Sequence, residues 1–568
     1  MATTAGAPPP SGTGEYHLHR KVGLRGMTLV SLGSIIGSGW LFGALGAATA
    51  AGGGGSLLTW ILGCAILLLL ALVHAELGST YPVSGGTARF PFMAFGGLGG
   101  FAGGWMAFIQ AVTIAPIEVE ASLSHLQARF PGFHVYNTAG TVLTGEGILY
   151  GALFMLFFTA VNVMGVRWLA ETNAIAVYWK LLIPTVAIFA LLFTTFHGGN
   201  FTAGGGFAPY GAHGVLTALA GGVIFAAEGF EQAIQIGGES TNPQRNIPRA
   251  VFIAFAIGTA FYLLLAVAFI GALHPNDLIH GWKNPLPSVG HLGPYITLTS
   301  QAGIGWLATL LTIDAVVSPG GTGLVYMGTS SRLSYGLGRN GYFPGVISKI
   351  NKRGIPLISI GICFVVGMLT FLPFPDWFGL VGLITSATVI MYAMAPLALT
   401  GLRKQDPDRP RVYRLPAAKI LCPIAFVAAN ITVYVSGYHI VFWMEMFVAA
   451  GFIIFAIYQL SIPAEKRTIL DLRSAYWIVP WLVGLCVIAW LGRYDGYGPF
   501  KVFGLTLLAT NRIPNYWDLV VVAAWSLVIY YWATNSALSR EKVQEAVAEV
   551  EREYSIELES HLATDSIV

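Results

Sequence analysis

"GSIIGSGWLF", residues 33–42, lies about ten residues into the first long apolar run of the chain. Gly37-Ser38-Gly39 interrupts a segment that otherwise has the composition of one bilayer-spanning helix. Each interior glycine costs a helix about 1 kcal/mol relative to alanine. A weakened middle needs a reason, and the reason depends on whether a bilayer surrounds it.

Composition answers that first. Of 568 residues, 55% are hydrophobic, 13% aromatic and only 10% charged, and the mean hydropathy is +0.68. Soluble globular chains carry roughly 25% charged residues, so this is the composition of an all-α polytopic membrane protein. The formal charge of +3 is not gathered into a basic face, so no nucleic-acid partner is indicated. Cys64, Cys363, Cys422 and Cys486 all sit in apolar runs without CxxC or His-paired spacing, which argues against disulfides and metal sites. There is no HExxH or GxxxxGK[ST] motif, so neither an enzyme, an ATP site nor a bound cofactor is expected, and no residue is a catalytic candidate.

Apolar runs of about 20 residues fall near 24–51, 56–78, 101–127, 147–165, 170–195, 213–237 and 249–273. The rest lie near 302–337, 355–373, 377–402, 417–438, 441–461, 475–492 and 516–535, fourteen spans in all. An even number puts both termini on one side. With that side cytoplasmic, Arg129, Lys283, Arg493, Lys501 and Arg512 fall outside and Lys180 lies within a span. The rest of the thirty basic residues are cytoplasmic, as the positive-inside rule asks. The chain then divides into a Pro/Gly/Ser-rich disordered cytoplasmic tail (1–22), two halves of five spans (23–200 and 201–405), four further spans (406–537) and a charged, solvated cytoplasmic helix or tail (538–568). No apolar h-region with a cleavage site precedes the first span, so no removable signal peptide is expected.

A second interruption stands in the sixth span, "LAGGVIFAAEGFEQAIQIGGES", where Ala226-Ala227-Glu228-Gly229 breaks the run. The first and sixth spans correspond if the two halves are repeats, and paired glycine-interrupted spans mark a secondary transporter's binding site. Glycines of this kind also serve close helix packing. Two breaks at matching positions, one holding a glutamate, favour the binding site. Unwound backbone at membrane depth is tolerated only against protein or a water-filled cavity, where it offers N–H groups, carbonyls and half-helix dipole ends. Those groups suit a zwitterion or a carboxylate, with N–H groups after the break for the carboxylate and carbonyls before it for an ammonium.

"LVSLGSIIGSGWLFG", "ELGSTYPVSGGTARFPFMAFGGLGGFAGGW", "FEQAIQIGGESTNPQRNIPRAV" and "TSSRLSYGLGRNGYFPGVISKINKRGIPLISI" resemble the amino acid–polyamine–organocation superfamily of permeases. The likeness runs from about residue 20 to about 460, and the Gly-Gly-Glu after the sixth span is most similar to the branch of aspartate:proton symporters and amino acid/auxin permeases. It implies a five-plus-five inverted-repeat fold like that of the bacterial leucine transporter, with discontinuous helices 1 and 6 and alternating access. It further implies that the N–H groups of Gly37, Ser38 and Gly39 hold a substrate carboxylate. The carbonyls of Ile35, Phe225 and Glu228 would take the ammonium, with Ala226 and Gly229 in the same break and Phe225 as a lid.

Ionisable residues at membrane depth cost at least about 2.5 kcal/mol each on insertion scales, so each needs an account. Lys180, in the fifth span, resembles the lysine that stands in relatives where sodium stands in sodium-coupled ones. By that likeness it links the first break to the eighth span, with Ser318 as its oxygen partner, and carries a coupling proton; the bland alternative is a fixed structural ion pair. Glu228 departs from the uncharged residue common in relatives; it is expected to receive a cationic side chain or carry the coupling proton. On a resumed helix Glu231 and Gln235 share its face. Glu118 and Glu120 point about 200° apart, so one of them at most faces a cavity. Asp314, one turn before Ser318, is a candidate for the same route, and Pro319-Gly320-Gly321 is expected to kink that helix. Glu76 is expected to pair with a loop base, and His74 and His439 to be core histidines.

The expected function is uptake of an amino acid by proton symport in the cytoplasmic membrane. The alternatives are an amino acid or amine exchanger without net proton flux, and a sensor that binds without transport. The expected partners are a small amino acid substrate and membrane lipid; an oligomer is compatible with the chain, but nothing in it calls for one.

Overall fold

The computed structural model describes residues 22–83, 85–130, 132–137, 142–164, 166–286, 293–351, 355–371, 377–495, 498–502, 504–514 and 516–565, without the side chains of 166–175 and 553–565. Residues 1–21, most of the expected tail, lie outside the described residues.

The first half contains α1 (Leu24–Ile35), α2 (Gly39–Ala51), α3 (Gly53–Thr80), α4 (Gly86–Arg129), α5 (Gly145–Met164) and α6 (Val166–Thr194). The sixth apolar run is split into α7 (Gly211–Ala218), a π-turn (Leu219–Val223), α8 (Ile224–Ala227) and α9 (Gln232–Gln235). Then come α10 (Pro243–Ala272), α11 (Pro294–Gln301), α12 (Gly305–Arg339), α13 (Leu357–Thr370), α14 (Trp377–Gln405), α15 (Ala418–Val435) and α16 (Tyr438–Ser461). The chain ends with α17 (Leu472–Ala475), α18 (Ile478–Leu491), α19 (Trp517–Ser536) and α20 (Arg540–Asp565). One small antiparallel hairpin, Phe500–Val502 with Leu505–Leu507, interrupts the otherwise helical chain.

Among the described residues, eleven helical segments are long and apolar enough to cross a membrane, and twelve if α1 and α2 form one span bent by 49°. Gly211–Ala227 and α13 are shorter apolar helices; the first is short because the sixth-span break cuts it. Each of the fourteen apolar runs falls on one of these segments. Leu182, Phe193, Ile457 and Leu460 are all more than half exposed, which apolar side chains tolerate where lipid takes the place of water. The chain is a multi-pass helical membrane protein.

Three arrangements position the centre. Helix α4 packs along both α12 and α14, and the three form a scaffold. α4 is broken near its start by Gly96 (φ 74, ψ −161), where an added Cβ would meet Asp471. The helices α1 and α9 are stapled: the Ser31 hydroxyl donates to the Phe230 carbonyl (3.3 Å) and accepts from the Ala233 N–H (3.1 Å). Val22, assigned to the tail from sequence, bridges instead to Ser240, directly after α9.

The sequence reading of 538–568 as solvated is corrected for its described part. Val543, Ala546, Val547 and Val550 recur at helical spacing and are buried, making a stripe that packs α20 on α4 and α14. Arg540–Asp408, Lys542–Asp471 and Arg409–Glu551 ion pairs flank the stripe.

Candidate functional site

α1 stops at Ile35 because Gly37 and Ser38 depart from helical hydrogen bonding, and α2 restarts at Gly39 with Ser38 as its N-cap. The first N–H groups of a helix have no partner inside it and carry its positive dipole end. Here the Ser38 N–H is met by a protein carboxylate: Glu118 Oε2 accepts from it at 2.8 Å. Gly37 makes room, since a Cβ there would stand 2.6 Å from Glu118 Oε1. The Ser38 hydroxyl accepts from Trp377 Nε1 at 3.0 Å. The Ile35 carbonyl accepts from the Tyr262 hydroxyl at 2.7 Å.

Lys180 completes this side. Its Nζ, fully buried, donates to the Gly33 carbonyl at 2.9 Å and to Thr322 Oγ1 at 2.6 Å. Its charge lies within reach of Glu118 and Asp314. Gly321 lets the lysine pass, because a Cβ would sit 3.2 Å from Lys180 Cε. The expected link from α1 to α12 is present, but its oxygen is Thr322, one turn beyond Ser318. Ser318 Oγ donates to Asp314 Oδ1 at 2.7 Å instead. α12 stays helical through Pro319-Gly320-Gly321.

On the facing side, α8 ends at Ala227, Glu228 is extended (φ −74, ψ 167), and Gly229 takes φ 120 before the chain resumes at Gln232. A Cβ at Gly229 would lie 2.8 Å from the Ile35 nitrogen, and one at Gly39 would lie 2.5 Å from Ala226 Cα. The two breaks therefore touch backbone to backbone, at two glycines. This local geometry corrects the expectation of a resumed helical face. Gln235 donates to Thr87 rather than reaching Glu228. Glu231 serves a separate hub: it accepts from Tyr326 (3.1 Å), Tyr392 and Gln232 (3.4 Å), and Tyr326 also bonds Ser34 (2.7 Å).

Between the breaks is a narrow, nearly closed cavity of about 10 Å³, whose lining includes Ser34, Ile35, Glu118, Phe225, Glu228 and Tyr326. Glu118 faces it and Glu120 does not, as their angular separation demands. Glu228 Oε1 accepts from Thr388 at 3.3 Å, while Oε2, buried, has no hydrogen-bond partner among the described residues. Phe225 stands edge-on to Trp377. Among the described residues no His/Cys/Asp/Glu group could hold a metal. Elsewhere, Glu76 binds Arg403 and the Leu415 N–H, with Arg411 at 3.4 Å. His74 is buried on the Leu70 carbonyl (2.8 Å), and His439 stacks on Phe500.

Thr322, Tyr326, Tyr262, Tyr392 and Thr388 were not singled out from sequence. One signal was there to read: Asp314, Ser318, Thr322 and Tyr326 recur every four residues, a polar stripe along one face of the helix. Tyr262, Tyr392 and Thr388 have no such periodic mark.

Apolar helices bundled around two facing breaks, with carboxylates and a lysine buried between them, define a discontinuous-helix membrane permease. A family model described as amino acid permease matches residues 22–490, and the chain belongs to that family. It is 35% identical over 535 residues to the glutamate/serine transporter AimA of Bacillus subtilis (strain 168), covering 93% of this chain and 96% of that one. It is likewise 35% identical over 531 residues to the aspartate-proton symporter of the same organism, covering 93% and 98%. Asc-type amino acid transporter 1 of Mus musculus is 27% identical over 420 residues, covering 72% of this chain and 75% of its own length. Family and relatives together point to a transporter of amino acids, not an enzyme.

Proposed function

We propose that the protein takes up a small amino acid by proton symport across the cell membrane, with both termini in the cytoplasm. One observation carries the reading. A protein carboxylate, Glu118, sits on the Ser38 N–H that the sequence reading reserves for the substrate carboxylate. A substrate claiming that N–H displaces Glu118, and a carboxylate without its donor in a buried cavity favours taking up a proton. Lys180, tied to Gly33 and Thr322 in the same cluster, senses that change of charge. Binding and protonation are thereby coupled through one hydrogen bond.

The staples support alternating access. Because α1 and α9 are joined at Ser31 and Val22 to Ser240, the inner halves of the two broken spans move together. The scaffold of α4, α12 and α14 holds them through Glu118, Thr322 and the Glu231 hub. Repeats at 23–200 and 201–405 are consistent with the breaks falling in their first spans. The relatives' substrates make glutamate, aspartate and serine the first to try.

The test is uptake of these amino acids into proteoliposomes under a proton gradient, a sodium gradient or neither. Accumulation driven only by protons, and lost in Lys180→Ala, is the expected result. Flux that ignores both gradients and needs amino acid on both sides would establish exchange instead. Binding without any uptake would establish a sensor.

A further inference from the structure

Both charges of an amino acid must be met in one cavity, because its carboxylate and ammonium share a carbon. The carboxylate has the Ser38 end of α2. The sequence reading gives the ammonium to backbone carbonyls, of which Ile35 shares its oxygen with a 2.7 Å bond from Tyr262. The cavity holds another acceptor. Glu228 is 3% exposed, lines the cavity, and anchors only one of its oxygens, on Thr388. Its Oε2 has no hydrogen-bond partner among the described residues. Buried carboxylate oxygens are rarely left so, and an unfilled acceptor inside a ligand cavity marks where a donor is missing.

The charges around it say what kind of donor. Glu231 lies within electrostatic reach of Glu228, but its two oxygens are taken by Tyr326, Tyr392 and Gln232. Glu118 faces the same cavity on the side of the first break. The one cation in the cluster, Lys180, is committed to Gly33 and Thr322. The surroundings are thus acidic, and Glu228 is placed to accept from a positive group brought from outside.

We infer that Glu228 is the counter-ion for the α-ammonium of the substrate and the residue by which this permease requires an amino group. The inference rests on the amino acid transport reading and adds the recognition of one end of the substrate. It does not require that the transport be driven by protons. The extended backbone at Glu228, followed by Gly229 at φ 120, is what turns this side chain out of the helical register and into the cavity.

The experiment compares each amino acid with its desamino analogue as competitors of labelled L-serine uptake: L-aspartate with succinate, L-glutamate with glutarate, L-serine with 3-hydroxypropanoate. Wild type should prefer the amino acid in every pair. Glu228→Gln keeps the shape and the Thr388 bond but loses the charge. Its half-saturation for L-serine should rise about tenfold to a hundredfold, the range for losing a charged hydrogen-bond partner, and the preference within each pair should shrink toward one. Glu228→Asp should recover part of both. Thermal stabilisation of the detergent-purified proteins by the same compounds reads binding without transport. Amine-dependent stabilisation lost in Glu228→Gln would support the inference even if no gradient drives uptake, which would count only against the symport reading. An unchanged half-saturation and unchanged preference in Glu228→Gln would overturn it. So would a variant that loses only lysine or arginine uptake, or one that shifts only the pH profile, because Glu228 would then read a side chain or carry a proton.

Discussion

The two breaks have the same origin, glycine-rich interruptions of apolar helices, yet they are finished differently. At the first, three backbone groups are met by side chains of the protein: Ser38 N–H by Glu118, Gly33 carbonyl by Lys180, Ile35 carbonyl by Tyr262. At the sixth, Glu231 is fully engaged while Glu228 keeps one oxygen unbonded. A binding group already satisfied by its own protein can be exchanged for a ligand at small net cost, since one hydrogen bond replaces another. An unsatisfied one draws the ligand in. The first break is suited to coupling and the sixth to recognition.

Closing the contact between the breaks should have the largest effect. Gly229→Ala places a side chain at φ 120 and 2.8 Å from backbone, and Gly39→Ala collides with Ala226 Cα. Each should cost about 2–4 kcal/mol and abolish uptake. Gly320→Ala, with open space around its Cβ, should do neither; thermal melts beside uptake assays would show whether the damage is specific to the breaks.

Lys180→Met comes next. It removes the two hydrogen bonds of a buried cation, to Gly33 and Thr322, at about 1.5–3 kcal/mol for bonds to a charged group, and proton-driven accumulation should disappear. Glu118→Gln is milder, because an amide oxygen still accepts from the Ser38 N–H. Accumulation should fall about tenfold, the effect of roughly 1.4 kcal/mol, with counterflow retained and the pH dependence of uptake flattened. If the pH profile stays as steep as in wild type, the first break is not the coupling site.

Thr322→Val and Ser318→Ala divide α12 between the two oxygens. The first should lower stability by about 1–2 kcal/mol and weaken coupling, whereas the second removes only the Asp314 bond. Equal effects would restore Ser318 as the partner of Lys180. Smallest of all, Arg540→Ala, at an ion pair 56% and 78% exposed, should shift the melt by less than about 1 kcal/mol, a baseline for substitutions far from both breaks.

How much of this was legible beforehand varies from residue to residue. The positions of both breaks were, because glycine acts on its own backbone. Lys180 was, because a lone charge in an apolar run stands out. Glu118 could be narrowed to one of two glutamates by helical geometry, and no further. Ser318 was read one turn short of Thr322, since residues four apart on one face look alike until a neighbouring helix sets the depth. The shared face of Glu228 and Gln235 assumed a continuous helix that Gly229 interrupts.

Sequence alone determined the bilayer, the apolar runs and the two places where a run is broken, because hydropathy and glycine propensity act over a few to twenty residues of contiguous chain. Tertiary structure alone decided which carboxylate caps Ser38, which hydroxyl meets Lys180, and that Glu228 is left with an oxygen to spare. Those outcomes belong to pairs separated by 80 residues or more, Ser38–Glu118 and Glu228–Thr388 among them. In the low-dielectric interior each polar group must find whatever partner the packing brings near, and no local pattern records which one that is.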